Sequence, residues 1–132
     1  MFIPAPLDRV FEALDTDEGR ASFWAQSAIS SGTHIDFKFI NGHEHKSKIL
    51  ERRPPNLFSL DYFGGKASFK LEETVGGTEL LLTHEGVKSE EWIETHAGWL
   101  NVLFPLKARV AFGVDLRNND ASRTWEQGYA DQ

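Results

Sequence analysis

The strongest constraint on the fold is a run of apolar residues at helical spacing between residues 90 and 110. Rotation by about 100° per residue brings these side chains into one sector of a helix. Ser89 precedes the run as a predicted N-cap. The sector consists of Trp92, His96, Trp99, Leu103, Leu106 and Val110. A stripe this wide and aromatic requires a large apolar surface on which the helix can pack.

The preceding part of the chain predicts that surface. Apolar residues between positions 27 and 85 alternate with a period of two, and glycine and proline pairs divide them into five or six antiparallel strands. Two-residue turns at 64–65 and 76–77 and a three-residue loop at 41–43 pair Leu60 with Phe69, Phe69 with His84 and Phe37 with Ser47. In this register Phe37, Phe39, Phe58, Leu60, Phe69 and Leu82 share the inner face, whereas Lys38, Lys48 and Lys70 share the outer one.

Both ends of the chain have their own patterns. Residues 7–14 carry apolar side chains at helical spacing after Pro6, and residues 20–24 indicate a second short helical segment. Only three residues stand before Pro4, so a short first strand is expected, with its sheet edge covered by the C-terminal tail or by a second chain. Residues 115–132 are polar, and a final helical turn is expected after Ser122.

Charge and composition exclude several classes of protein. The net charge is −6 without a basic run, which argues against nucleic-acid or membrane partners. The absence of cysteine excludes disulfides, thiol catalysis and cysteine-based zinc sites. No apolar run approaches the roughly 18 residues of a membrane span, and no signal peptide is recognisable. We therefore expect a single cytoplasmic domain over residues 1–132.

Three segments carry a resemblance to a known family. IPAPLDRVFEAL (3–14) is similar to the opening of the START-like (SRPBCC) superfamily, which has the Bet v 1-like fold. GGTELLLTHEGV (76–87) and HAGWLNVLFPLK (96–107) resemble signatures of its Hsp90-ATPase-activator-homologue branch. The resemblance implies an α+β helix-grip fold, in which a curved antiparallel sheet wraps around a long C-terminal helix, and it implies a cavity rather than an Hsp90 activity. The short first strand, Pro105 within the long helix and the tail at 115–132 depart from the family pattern.

Histidines raise the question of a metal or catalytic site. His43 and His45 form an H-x-H pattern, but His43 falls in the predicted loop, so the rings need not converge and no metal site is predicted. Ser47 lies near His45 on one strand face, yet no third orienting group follows and G-x-S-x-G is absent, so no catalytic residue is assigned and no cofactor is expected. His84 and His96 face a largely apolar interior, a composition typical of ligand pockets.

We therefore predict that the chain binds a small, largely apolar molecule between the sheet and the long helix. Two alternatives remain open. One is a cyclase, aromatase or hydrolase in the same cavity, and the other is a co-chaperone-like interaction module that uses the outer face of the sheet. A homodimer is a further expectation from the open edge. The predicted ligand-binding residues are Phe37, Phe39, His45, Ser47, Leu60, Tyr62, Phe69, His84, Trp92, His96, Trp99 and Leu103.

Overall fold

A computed structural model describes residues 1–132 and contains one seven-stranded antiparallel sheet and three α-helices. The strands follow the order β1-β7-β6-β5-β4-β3-β2 across the sheet, which curves around the long helix α3 as a helix-grip fold. The elements are β1 (Phe2–Ile3), α1 (Leu7–Asp15), α2 (Asp17–Ala21), β2 (Ser27–Ser31), β3 (His34–Lys38), β4 (Glu44–Arg53), β5 (Leu57–Tyr62), β6 (Gly65–Thr74), β7 (Gly77–Glu85) and α3 (Trp92–Phe112). Single 3-10 turns occupy Ser89–Glu91 and Trp125–Gln127. The α+β helix-grip prediction is confirmed.

The N-terminal helices are held together by a buried arginine. Arg20 is completely buried, and its guanidinium donates hydrogen bonds to the carbonyl oxygens of Leu14 (2.9 Å) and Ala28 (3.0 Å). Its charge is balanced by Asp17 at 2.6 Å, because a buried cation is stable only when it is paired. The second helix begins earlier than predicted, since the side chain of Thr16 caps it by accepting a hydrogen bond from the Gly19 N–H (3.0 Å).

The strands place the predicted residues on the predicted faces, but their pairing partners differ. Leu60 pairs with Ala67, Phe69 with Leu82 and Phe37 with His45. Each predicted pairing is therefore displaced by two residues. Because side chains alternate with a period of two, this displacement leaves every residue on its original face. The predicted inner residues are buried or half-buried, and the three predicted outer lysines are exposed.

The glycine pairs explain the displacement of the Leu60 and Phe69 pairings. The two-residue turns lie one position earlier than predicted, at 63–64 and 75–76. Gly64 and Gly76 adopt positive φ angles of 83° and 81°. Gly65 and Gly77 instead begin the following strands, where a Cβ atom would collide with the backbone of a neighbouring strand. The first glycine of each pair thus forms the turn, and the second allows the strands to approach.

The long helix packs on the domain mainly with its C-terminal half. Val102, Leu106 and Val110 are buried, whereas Trp99 is the only buried residue between residues 92 and 101. Trp92 is 69% exposed and His96 is also exposed, so the predicted six-residue stripe is wrong for the first half of the helix. The pattern misleads because the first half of α3 stands away from the sheet. Ser89 does not cap α3 but begins the 3-10 turn that precedes it.

The edge beside β1 is largely open. β1 pairs Phe2 and Ile3 with the first part of β7, so residues 81–85 of β7 pair with β6 on one side and have no neighbouring strand on the other. This confirms the prediction of a short first strand. The C-terminal tail does not cover this edge, because Trp125 packs instead on Phe39 after β3, with ring centroids 5.4 Å apart. None of the helices is long and apolar enough to cross a membrane.

Candidate ligand-binding site

The middle of the sheet is filled by Trp24, which follows α2. Its ring lies 5.1 Å from Phe37, 5.5 Å from Tyr62, 5.5 Å from Phe69 and 5.9 Å from Trp99, measured between centroids. The indole Nε1–H donates a hydrogen bond to the Tyr62 hydroxyl (3.1 Å). The inner face is therefore a packed aromatic core rather than a hollow. The predicted site residues Phe37, Ser47, Leu60 and Phe69 are at most 1% exposed and line neither of the two cavities described below.

A large cavity lies instead at one end of the sheet. It has a volume of about 960 Å³ and opens between the first half of α3, the segment after α2, the β5–β6 turn and the C-terminal tail. Among the predicted site residues, Phe39, Tyr62, His84 and Trp99 line it. Such a volume lies near the upper end of the range for small-molecule pockets, roughly 300–1,000 Å³.

His84 has no free ring nitrogen in this cavity. Its Nδ1 accepts a hydrogen bond from the Trp99 indole N–H (2.9 Å), and its Nε2 lies 2.9 Å from the Tyr62 carbonyl oxygen. These partners assign the neutral tautomer with the proton on Nε2. Burial lowers the pKa of His84 and also favours the neutral ring. His84 therefore positions Trp99 and is not available as a general base.

His45 and Ser47 do not form a catalytic pair. The His45 ring stacks on Phe63 at 4.2 Å, and its Nε2 accepts a hydrogen bond from the Phe63 N–H (3.3 Å). This contact supports Phe63, which has a φ angle of 44°, unusual for an aromatic residue. The Ser47 hydroxyl is buried without a hydrogen-bond partner. The ring of His43 is hydrogen-bonded to Glu126 (2.8 Å), and no three potential metal ligands lie together.

Three further predicted residues line a second groove of about 370 Å³ between α3 and the edge of β7. Trp92, His96 and Leu103 lie there, and His84 and Trp99 separate it from the larger cavity because they line both. The structure thus divides the predicted site among the core, the cavity and the groove. His45 lies in none of the three, since it is half-buried against Phe63.

The C-terminal tail forms one wall of the larger cavity, which the sequence analysis did not predict. Arg117 lines the cavity and forms two 2.9 Å hydrogen bonds with the Asp115 carboxylate and one of 3.1 Å with the Ala25 carbonyl oxygen. These bonds lower the pKa of Asp115 to about 2. Trp125 and Tyr129 add aromatic surface. The sequence Thr124-Trp-Glu-Gln127 has the pattern of a capping box, and this pattern could have indicated an ordered helical turn in the tail.

Comparison with known proteins identifies the family. The family model described as "Activator of Hsp90 ATPase homolog 1-like protein" matches residues 4–111. The chain belongs to this family. No curated protein matches the chain significantly.

Solved structures have the same activator-homolog-like fold. Protein SSP2350 from Staphylococcus saprophyticus has a TM-score of 0.78 at 22% identity, with 89% of this chain and 92% of that chain covered. The Aha1 dimer from Colwellia psychrerythraea has a TM-score of 0.75 at 24% identity, with 86% and 93% covered. DynU16, from the dynemicin biosynthetic locus, has a TM-score of 0.72 at 21% identity, with 87% of this chain but 46% of that chain covered.

One wall of the cavity lies within the residues that match the family model, and the other lies beyond them. Tyr62, His84 and Trp99 lie within the matched residues of this activator-homolog-like domain, whereas Arg117, Trp125 and Tyr129 lie beyond residue 111. The cavity therefore combines a wall from the family domain with a wall from the tail.

Proposed function

We propose that this chain binds a small, largely apolar ligand in the cavity between the first half of α3 and the C-terminal tail. The observation that carries the proposal is aromatic surface left in contact with solvent inside a large cavity. Phe63 is 55% exposed, Tyr129 43% and Trp125 38%. Exposed aromatic surface that converges on a cavity is typical of a ligand site, because covering it releases ordered water.

Binding is favoured over catalysis by the state of the polar groups. His84 uses both ring nitrogens within the fold, and Arg117 is held by Asp115. Neither group is free to transfer a proton or to polarise a substrate. A cyclase, aromatase or hydrolase in the same cavity is the second candidate. The observation in its favour is the structural similarity to DynU16, which comes from a biosynthetic locus. A cytoplasmic location belongs to the same proposal.

The test uses Gly98, which lines the cavity and where an added Cβ atom would have no neighbouring atom within 4 Å. The Cβ atom of Gly98→Leu therefore has free space, and the longer side chain extends from a residue of the cavity wall. We expect the wild type to bind the neutral fluorescent probe N-phenyl-1-naphthylamine, with affinity at least about tenfold lower in Gly98→Leu. The measurement is probe fluorescence in a titration with protein.

Gly98→Ala is the matched control, because a methyl group leaves most of the cavity open. It should bind the probe like the wild type and should raise the free energy of unfolding by about 0.5–1 kcal/mol, since alanine favours helices over glycine. A wild type that gives no probe signal, together with a native mass spectrum without any co-purified small molecule, would end the proposal.

We further propose that the chain forms a homodimer through the open edge of β7. One similar structure is described as a dimer. Apolar side chains at this edge support the proposal, since Leu81 is 62% exposed and Trp92 and Leu100 line the adjacent groove. Unpaired strand edges in native proteins are usually covered, and pairing with a second edge is one way of doing so.

A further inference from the structure

The walls of the proposed ligand cavity favour flat aromatic rings. Trp99 and Tyr62 lie together on the side of the family domain, with centroids 5.1 Å apart, and Trp125 and Tyr129 lie on the side of the tail. Aromatic side chains pack well against other rings, and their faces attract cations. An aromatic ligand, with or without a positive charge, therefore suits these walls.

The one arginine that lines the cavity is already paired with a carboxylate. Arg117 is bound by both carboxylate oxygens of Asp115, and its third hydrogen bond goes to the Ala25 carbonyl oxygen. The ring of His43, which also lines the cavity, is hydrogen-bonded to the Glu126 carboxylate at 2.8 Å. An anionic ligand would have to displace one of these carboxylates, which would leave the displaced carboxylate without its partner.

The unpaired charges that line the cavity are negative. Glu91 and Glu94 lie along its wall at the start of α3, and neither forms an ion pair. The N-terminus of α3 offsets them only in part, since a helix end corresponds to roughly half a positive charge. Both carboxylates are exposed, so their effect is moderate and depends on salt.

We infer that the ligand of this cavity is a flat aromatic molecule that is positively charged or neutral, such as an aromatic amine, and is not an organic anion. The inference rests on the proposed function, because it names the chemical class of ligand for the same cavity. It excludes fatty acids, aromatic carboxylates and phosphate esters as ligands, because Glu91 and Glu94 would repel their negative groups.

The test compares three ligands with one ring system: 2-naphthylmethylammonium, 2-naphthylmethanol and 2-naphthoate. Each is titrated into the wild type by isothermal calorimetry at low ionic strength. We expect the ammonium compound to bind about tenfold more tightly than the carboxylate, with the alcohol between them, because two carboxylates at the cavity wall attract one charge and repel the other.

Variants identify the source of the difference. In the double variant Glu91→Gln/Glu94→Gln, the ratio between the ammonium and carboxylate compounds should fall to about twofold. Glu90→Gln is the matched control, since Glu90 is adjacent in sequence but does not line the cavity. It should keep most of the wild-type ratio.

The outcomes separate this inference from the proposed function. The inference would be overturned, and the proposed function left intact, if the alcohol binds and 2-naphthoate binds as tightly as 2-naphthylmethylammonium or more tightly. An unchanged ratio in the double variant would also overturn it. If none of the three compounds binds the wild type although N-phenyl-1-naphthylamine does, the inference is wrong and the proposed function stands.

Discussion

At the scale of single residues, His84 shows how a polar side chain can organise an aromatic site without taking part in chemistry. It joins the Trp99 indole to the Tyr62 carbonyl oxygen through its two ring nitrogens. The Tyr62 hydroxyl in turn accepts a hydrogen bond from Trp24. The ring planes in the cavity wall are therefore fixed by hydrogen bonds as well as by packing.

This arrangement predicts a dependence of stability on pH. The pKa of His84 is lowered in the folded state, so the unfolded chain binds more protons when the pH falls below about 6.5. Stability is therefore fully present above this pH and is lost as the pH falls toward the lowered pKa. His45 contributes in the same direction, because burial lowers its pKa as well.

The variant His84→Gln tests this prediction, because glutamine keeps one donor and one acceptor but does not titrate. At pH 7.5 it should lose about 1 kcal/mol of stability from imperfect hydrogen bonds. Between pH 6.5 and 5 its free energy of unfolding, measured with urea, should fall less than that of the wild type. Parallel curves for the two proteins would contradict the prediction.

At the scale of elements, the C-terminal half of α3 contributes to the core, whereas its first half and the tail form walls of the cavity. The C-terminal half of α3 belongs to the core, with Leu106 completely buried. Its first half stands away from the sheet, and the tail covers part of the space that results. Helix α3 ends at Phe112, and Gly113 follows as its C-cap with a φ angle of 68°, at the start of the tail.

Removal of the Trp125 side chain should therefore loosen the tail without unfolding the domain. This side chain is 38% exposed and packs on Phe39 and His43. We expect Trp125→Ala to cost about 1 kcal/mol or less, to accelerate hydrogen exchange in residues 115–132 and to weaken probe binding.

A control variant is available on α3. Phe104 is 52% exposed and lines neither the cavity nor the groove, so Phe104→Ala should change neither tail exchange nor probe binding. Trp24→Ala, by contrast, should cost about 3–5 kcal/mol because it removes the centre of the core. Unchanged hydrogen exchange of the tail in Trp125→Ala would show that Trp125 does not hold it.

At the scale of the whole molecule, the sequence predicted the architecture better than the site. Alternation assigned Phe37, Phe69 and Leu82 to the inner face correctly, since a displacement by two residues does not change a face. The pairing partners could not be predicted in this way, because registers that differ by two residues give the same alternation of faces. The decisive detail was that Phe63, and not a second glycine, adopts a positive φ angle in the turn.

The position of the cavity depends on contacts that local patterns do not contain. Trp24 enters the core from a loop and fills the space predicted to be empty, and the polar tail supplies the opposite wall. Both contacts join residues that are distant in sequence, such as Trp24 with Trp99 and Trp125 with Phe39. Helical periodicity also could not indicate that Trp92 and His96 stay exposed in the groove beside β7, because it defines a stripe but not the surface on which the stripe packs.

The proposed dimer is a property of the whole molecule and is tested by its mass in solution. We expect sedimentation equilibrium to give twice the chain mass of 14.9 kDa for the wild type. Leu81→Lys should give the monomer mass, since a charge on an edge strand discourages pairing. Leu50→Lys is the control, because Leu50 is also exposed, at 41%, but lies on β4. A wild type that remains monomeric at high concentration would rule out the dimer.

The division of the cavity between domain and tail has a consequence for how such proteins diversify. A wall that contributes little to the stability of the core tolerates substitution, because most changes there do not unfold the protein. Exchange of this one short stretch can therefore alter which molecules are accepted while the sheet and α3 stay the same. For protein engineering, the tail is the natural place for a randomised library, with the remainder of the chain kept as a constant scaffold.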